Sequence, residues 1–183
     1  DAQKVGSVRG VGALCMRSHV KLMPLMHGGG QEGGLRPGTE PVALAAAFAA
    51  ALTECEKNRE AFAARASKMR KHLIDTLSEA IPNILVNEGR ENLPHILNLS
   101  LPNRDTDYTV MLLDKEGFSV STKSACESDS EDGSRAVLAL TGDAARAQST
   151  LRISWGPPTP VRDFERLAVA LIRTIRFQDG TSV

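Results

Sequence analysis

The sequence predicts a layered α/β fold, and three observations carry that expectation. Val42–Ala80 is rich in Ala, Leu, Glu, Lys and Arg, with apolar residues at Leu44, Phe48, Leu52, Cys55, Phe62, Met69, Leu73 and Leu77, the recurrence of one helical face. Thr150-Leu-Arg-Ile-Ser-Trp155 alternates polar and apolar residues, as a half-buried strand does. From Ala13 onward the segments read β-β-α-β-β-α-β-α-β-α, strands interspersed with helices able to cover a sheet. No internal repeat is visible.

Each segment has a local reason. After Lys4, glycines at 6, 10 and 12 mark a tight loop, since glycine alone takes positive φ without steric cost. Ala13-Leu-Cys-Met16 is expected to be a short buried strand, with Cys15 in the core. Val20–Met26 is broken by Pro24, so it is an edge strand or a loop. His27–Thr39 is crowded with glycine, which fits a backbone that approaches something closely or a mobile loop. It has neither the Gly-Lys-Ser/Thr ending of a Walker loop nor the Gly-x-Gly-x-x-Gly dinucleotide spacing.

Thr39 is expected to cap the following helix, with Pro41 just inside it. Residues 42–80 then form one long helix, or two with a kink near Lys57-Asn58, with Cys55 on the buried stripe; Ile81-Pro-Asn83 ends it. Ile84–Val86 and Ile96–Leu101 read as strands joined by the polar turn Asn87–Asn92. Asp107–Lys115 has helical spacing, and Gly117–Ser121 reads as another strand. Ser134–Leu140 is a short helix closed by Gly142. Val161–Phe177 is amphipathic, with Phe164, Leu167, Ala168, Leu171, Ile172 and Ile175 on one face. The acidic, serine-rich stretch around Cys126 and the last residues are expected to be disordered.

The bulk properties bound the function. At 183 residues the chain is one substantial domain, or a small domain plus part of another. With 22 basic and 22 acidic side chains it has no electrostatic footprint for nucleic acid or an anionic membrane. The longest apolar run, Val42–Leu52, is too short to span a bilayer, so the chain is expected to be soluble. Three scattered cysteines make neither a metal cluster nor a disulfide framework, which favours a reducing compartment. Asp-Ala-Gln-Lys at the start carries no initiator methionine and no secretory signal pattern, and reads as the middle of something longer.

One thiol stands apart. Cys126 lies between small residues in the polar run Ser121–Ser134, where nothing is built to bury it, although free cysteine is usually a buried residue. Glu127, Asp129, Glu131 and Asp132 follow it and disfavour its thiolate, opposed locally by Lys123. Its company is Lys4 ahead of a glycine-rich turn, His27-Gly-Gly-Gly…Arg36-x-Gly-Thr39, Ser124-Ala-Cys126 and Arg152-x-Ser-x-Gly156. In this order the motifs resemble a cysteine desulfurase of the iron–sulfur assembly type, within the class V aminotransferase group of pyridoxal-phosphate enzymes. The resemblance covers nearly the whole chain but only the C-terminal half of such an enzyme.

The resemblance implies the fold: the tail of the large cofactor-binding domain of a fold type I enzyme over residues 1–40, then a linking helix and a small α/β domain over 41–183. It implies Lys4 as the Schiff-base lysine, Gln3 and Thr39 as cofactor ligands, Arg152 as the substrate carboxylate clamp, and Cys126 as the nucleophile that takes sulfur as a persulfide. L-cysteine is the implied substrate, pyridoxal 5'-phosphate the cofactor, and sulfur-acceptor or scaffold proteins the partners. A homodimer, with Thr39 offered to the neighbouring subunit, and a cytoplasmic location are also implied. The chain departs from the family at Asp1 and Gln3, where a serine and a histidine often stand, at Gly6–Gly10, and at Gln31; these changes bear on cofactor affinity. Two other readings stay open: a related lyase or transaminase with Cys126 incidental, and a non-catalytic docking domain.

Overall fold

The structure, a computed structural model, describes residues 1–122 and 133–180. The chain makes two compact units, Asp1–Glu60 and Ala61–Val183, and the boundary falls within helix α1 (Val42–Ala80).

Asp1–Glu60 is mostly irregular ahead of the helix. A 3-10 turn over Ala2–Val5 ends at Gly6 with φ 76°, a left-handed conformation that suits glycine. Ala2 is fully buried; its N–H donates to Val11 O at 3.0 Å, and Ser7 N donates to Ala2 O at 3.1 Å. The lysine-bearing turn is thus tied to the glycine segment that follows it.

Ala13–Met16 is not the expected buried strand. Leu14 is 77% exposed, and Cys15 is exposed rather than core. A strand needs a neighbour to take its backbone N–H and C=O groups, and no strand is present in this unit among the described residues. Val20–Met26 is likewise loop. In the glycine run, Gln31–Gly34 forms a second 3-10 turn, and Gln31 Oε1 accepts from Gly38 N at 3.4 Å. A Cβ at Gly29 would lie 2.4 Å from that same oxygen, so any larger residue there would require the Gln31 side chain to move.

Helix α1 starts two residues later than a cap at Thr39 would place it. Pro41, not Thr39, precedes the first helical residue, and its carbonyl accepts from Ala45 N at 2.9 Å. The 39 residues form one continuous helix, with no break at Lys57-Asn58. The first buried residue on it is Ala66, followed by Met69, Arg70, Leu73 and Leu77. Cys55 is therefore exposed, not core; its thiol donates to Val5 O at 3.4 Å.

In Ala61–Val183, β1 (Leu85–Val86), β2 (Ile96–Ser100) and β3 (Thr150–Ser154) make an antiparallel sheet in that order. Leu97 pairs with Ile153 and Leu99 with Leu151, all buried, so these four build the apolar face. Helices α2 (Thr106–Lys115) and α5 (Val161–Gln178) share the core with the second half of α1, through Leu113, Phe164, Leu167, Leu171 and Ile175. The opposite face carries Asn98, Ser100, Thr150, Arg152 and Ser154. α3 (Arg135–Thr141) and α4 (Ala144–Gln148) lead into β3. Gly117–Ser121 is reduced from the expected strand to a single bridge, Ser121 to Arg152.

Arg104 donates to both carboxylate oxygens of Asp179, at 2.9 Å each. These hydrogen bonds, opposed by partial desolvation and helped by the guanidinium charge, hold the Asp179 carboxyl below its ordinary 3.8. A carboxyl depressed by folding contributes stability above its unfolded pKa and loses it as pH falls through the folded value. Arg104→Ala should therefore lower Tm near neutrality, with the difference from the parent narrowing below about pH 4. Thermal denaturation across the acid range checks this; a difference constant with pH would mean that Arg104 acts through packing alone.

Candidate active site

The polar face of the sheet is organised by a row of side chains. Asn98 and Arg152 lie directly opposite each other on β2 and β3. Asn87, just past β1, continues the row, its N–H donating to Asn98 O at 2.9 Å. Ser121 extends it on the far side, giving its N–H to Arg152 O at 3.1 Å and accepting from Arg152 N at 2.6 Å. Arg152 stands in the middle, half-buried. Its guanidinium has no hydrogen-bond or ion-pair partner among the described residues.

Cys126 lies outside the described residues, but the chain on either side of its segment is placed. Thr150, fully buried, donates its hydroxyl to Thr122 O at 2.5 Å, and Thr122 Oγ1 donates to Asp107 at 2.9 Å. On the other side Ser134 N donates to Ala147 O at 2.9 Å. Gly133 has φ 74°, and a Cβ there would lie 2.5 Å from Ala147 O, so the backbones meet too closely for any other residue. Both flanks are thus held to the short stretch 147–152 that ends in Arg152.

Lys4, Gln3 and Thr39 belong to the first unit, each exposed. The Lys4 amine and the Thr39 hydroxyl are without partners among the described residues. Gln3 Nε2 donates to Asp1 Oδ2 at 3.1 Å, so among the described residues the Asp1 carboxylate is met by an amide and not by another residue's cation.

A groove of about 410 Å³ opens where Gly117–Val120 parts from β3, lined by Phe118, Ser119, Ser154, Trp155 and Phe164 among others. Of the Arg152-x-Ser-x-Gly156 motif it touches Ser154, but neither Arg152 nor Lys4, Gln3 or Thr39 lines it. Trp155 stacks edge-on against Phe164, centroids 4.8 Å apart, and its indole N–H is buried without a partner among the described residues. Among the described residues no group of three or more His, Cys, Asp or Glu is placed to hold a metal ion, and no helix is long and apolar enough to cross a membrane.

Lys4 and Thr39 in the first unit, and Arg152 on the polar face of the sheet, thus each carry a polar side chain without a partner among the described residues. The chain belongs to the aminotransferase class-V family, whose model matches residues 1–167. Within that class it is similar to the IscS-like cysteine desulfurase of Mycobacterium tuberculosis, 36% identical over 155 residues that make up 84% of this chain and 39% of that protein. It is also similar to cysteine desulfurase IscS of Dictyoglomus turgidum, 34% identical over 180 residues, 96% of this chain and 45% of the relative. Of solved structures, the NifS-like protein from Rickettsia africae superposes with a TM-score of 0.71 at 26% identity, covering 90% of this chain and 42% of that one. The chain spans less than half the length of these relatives. Its fold is that of fold type I enzymes, and the family depends on pyridoxal 5'-phosphate.

The donor set of the first unit fits that cofactor. An unpartnered primary amine suits its aldehyde, and the Thr39 hydroxyl with the Gln3 amide suits its phosphate. The Gln3 amide would have to exchange its bond to Asp1 for one to the phosphate.

Proposed function

We propose that this chain is the C-terminal region of a pyridoxal-phosphate-dependent cysteine desulfurase, with residues 1–40 closing the large domain and 41–183 forming the linking helix and small domain. The observation that supports this reading best is Arg152. It is a half-buried guanidinium without a partner among the described residues, and its backbone is paired to Ser121, five positions before Cys126. Clamp and thiol segment share one base.

Bound pyridoxal phosphate supplies an electron sink for charge developing at the substrate α-carbon. Lys4 holds the cofactor and carries a proton to and from that carbon. Arg152 grips the α-carboxylate through two parallel hydrogen bonds, fixing which bond faces the thiol. Thr39 and Gln3 hold the phosphate. Cys126 attacks the substrate sulfur: a sulfur–sulfur bond forms as the substrate carbon–sulfur bond breaks, so that cysteine and thiol become alanine and persulfide with no outside oxidant. The persulfide passes to acceptor or scaffold proteins of iron–sulfur cluster or thio-cofactor assembly. The active species is a homodimer in which Thr39 serves the neighbouring subunit. A cytoplasmic location accords with the exposed, unpaired thiols of Cys15 and Cys55.

The test is incubation of the full-length enzyme with cofactor and L-cysteine, following alanine and enzyme-bound sulfur together. Equal amounts of both are expected, and sulfur release without alanine would overturn the reading. Arg152→Ala should raise KM for L-cysteine by roughly tenfold to a hundredfold, the worth of a charge-assisted bidentate contact. Arg152→Lys should recover only part, since an ammonium lacks the planar fork. An unchanged KM in the alanine variant would remove Arg152 from the substrate site.

A further inference from the structure

We propose that Asn98 is a second substrate-binding residue, its side-chain Nδ2 donating to the same α-carboxylate that Arg152 binds; this rests on the reading of Arg152 given above. The placement comes from the register. Both backbone hydrogen-bonding groups of Arg152 are turned toward Ser121, so its pairing with Asn98 is the non-hydrogen-bonded kind. In such pairs the two Cα atoms are closest, about 4.5 Å apart, and the side chains rise together from one face. Here that is the polar face.

The orientation of the Asn98 amide is fixed by a chain of bonds that begins at an arginine. Arg146 Nε, which can only donate, lies 2.6 Å from Asn87 Oδ1. That makes the other end of the Asn87 amide its NH₂, which donates to Ser100 Oγ at 2.8 Å and to Asn98 Oδ1 at 2.6 Å. Ser100 Oγ, accepting there, sends its own proton to Arg146 O at 2.8 Å. Arg146 is anchored in turn by its bond to Val86 O at 2.8 Å. The Asn98 oxygen is therefore committed to Asn87, and its NH₂ must turn the other way along the row, toward the Arg152 side.

That NH₂ has no acceptor among the described residues, although Asn98 is half-buried. The guanidinium beside it is in the same condition. Two cationic or neutral donors, side by side and without acceptors, match a ligand with two anionic oxygens. A carboxylate offers about four lone-pair directions, of which a bidentate arginine takes two. The amide supplies a further donor from the flank and sets the angle of the carboxylate about the arginine axis. Because Asn87, Ser100 and Arg146 hold the amide in advance, little ordering remains to be done when substrate binds.

Two substitutions separate binding from structure. Asn98→Ala removes the donor. Asn98→Asp is isosteric and keeps an oxygen for Asn87 Nδ2, but sets an anion where the carboxylate should lie. In the full-length holoenzyme we expect KM for L-cysteine to rise roughly tenfold in Asn98→Ala and a hundredfold or more in Asn98→Asp, with kcat little changed. On protein without cofactor, calorimetric titration with 3-mercaptopropionate, which has the carboxylate and thiol but no amine, should show the same ranking. Cysteamine, which lacks the carboxylate, should be indifferent to both changes. If Arg152→Ala raises KM and the Asn98 variants do not, Asn98 is not a ligand and the clamp stands without it. If both Asn98 variants lose Tm and kcat together, with 3-mercaptopropionate and cysteamine affected alike, the residue is structural and the proposal fails. If neither Arg152 nor Asn98 moves KM, the carboxylate site lies elsewhere and both readings fall.

Discussion

Cys126→Ser in the full-length enzyme is expected to abolish persulfide formation while leaving L-cysteine binding close to that of the parent. A serine hydroxyl has nearly the shape of the thiol, but its oxygen is a poor nucleophile toward sulfur at neutral pH and no base is placed for it by the sequence. Binding, in the proposed function, draws instead on Lys4, Arg152 and the cofactor, none of which the substitution changes. The flanks of the segment are unaffected too, since Thr122 and Ser134 are held through backbone groups to Thr150 and Ala147. Intact-protein mass spectrometry after exposure to L-cysteine should show added sulfur on the parent and none on the variant, and the cofactor absorbance should respond to substrate in both. Because Glu127, Asp129, Glu131 and Asp132 crowd the thiol in sequence, its alkylation should quicken only at alkaline pH. Persulfide on the serine variant at the parent's rate would mean that another group receives the sulfur.

What could be read from the sequence depended on whether an element's partners are local. Helix α5 and the second half of α1 were legible because the 3.6-residue recurrence of Phe164, Leu167, Leu171 and Ile175, or of Met69, Leu73 and Leu77, is written within each segment. Strands β2 and β3 were legible for the same reason, through the alternation of Leu97 and Leu99, and of Leu151 and Ile153. Ala13–Met16 and Gly117–Ser121 were not, because apolar composition cannot show whether a neighbouring strand exists to complete the ladder. Cys55 sits at a helical interval from core residues, yet the buried face of α1 begins only at Ala66. The short α4 escaped the hydrophobic pattern, although Asp143 carries a cap signal and accepts from Arg146 N at 3.0 Å.

The candidate site divides in the same way. Lys4, Gln3, Thr39, Cys126 and Arg152 came from motif resemblance, since the roles proposed for them are chemical and such roles leave a local signature. Asn98 leaves none. Within Ile96-Leu-Asn-Leu-Ser-Leu101 the alternation puts it on the polar face, but only the register across to Arg152 gives it a neighbour.

Lys4→Ala should separate chemistry from folding most completely. The Lys4 backbone belongs to the turn, its N–H donating to Asp1 O at 3.1 Å, and the substitution leaves that bond in place. The side chain is exposed and has no hydrogen-bond or ion-pair partner among the described residues. Surface changes of this kind fall within about half a kcal/mol, so Tm without cofactor should hardly move. In the proposed function, however, this amine bonds the cofactor's aldehyde carbon, and the same nitrogen moves the proton at the substrate α-carbon. Loss of a positioned acid–base group alone lowers rates by roughly a hundredfold to ten-thousandfold, and loss of the covalent anchor adds to that. Turnover of L-cysteine should thus fall by at least about a thousandfold. Borohydride reduction of the parent holoenzyme followed by peptide mapping should place the cofactor on Lys4, and the variant should yield no adduct. A small primary amine in solution should restore part of the proton transfer at the α-carbon. An adduct mapped to Lys21, or to any other lysine in the parent, would remove Lys4 from the reaction, and with it the assignment of the turn as the cofactor's anchor.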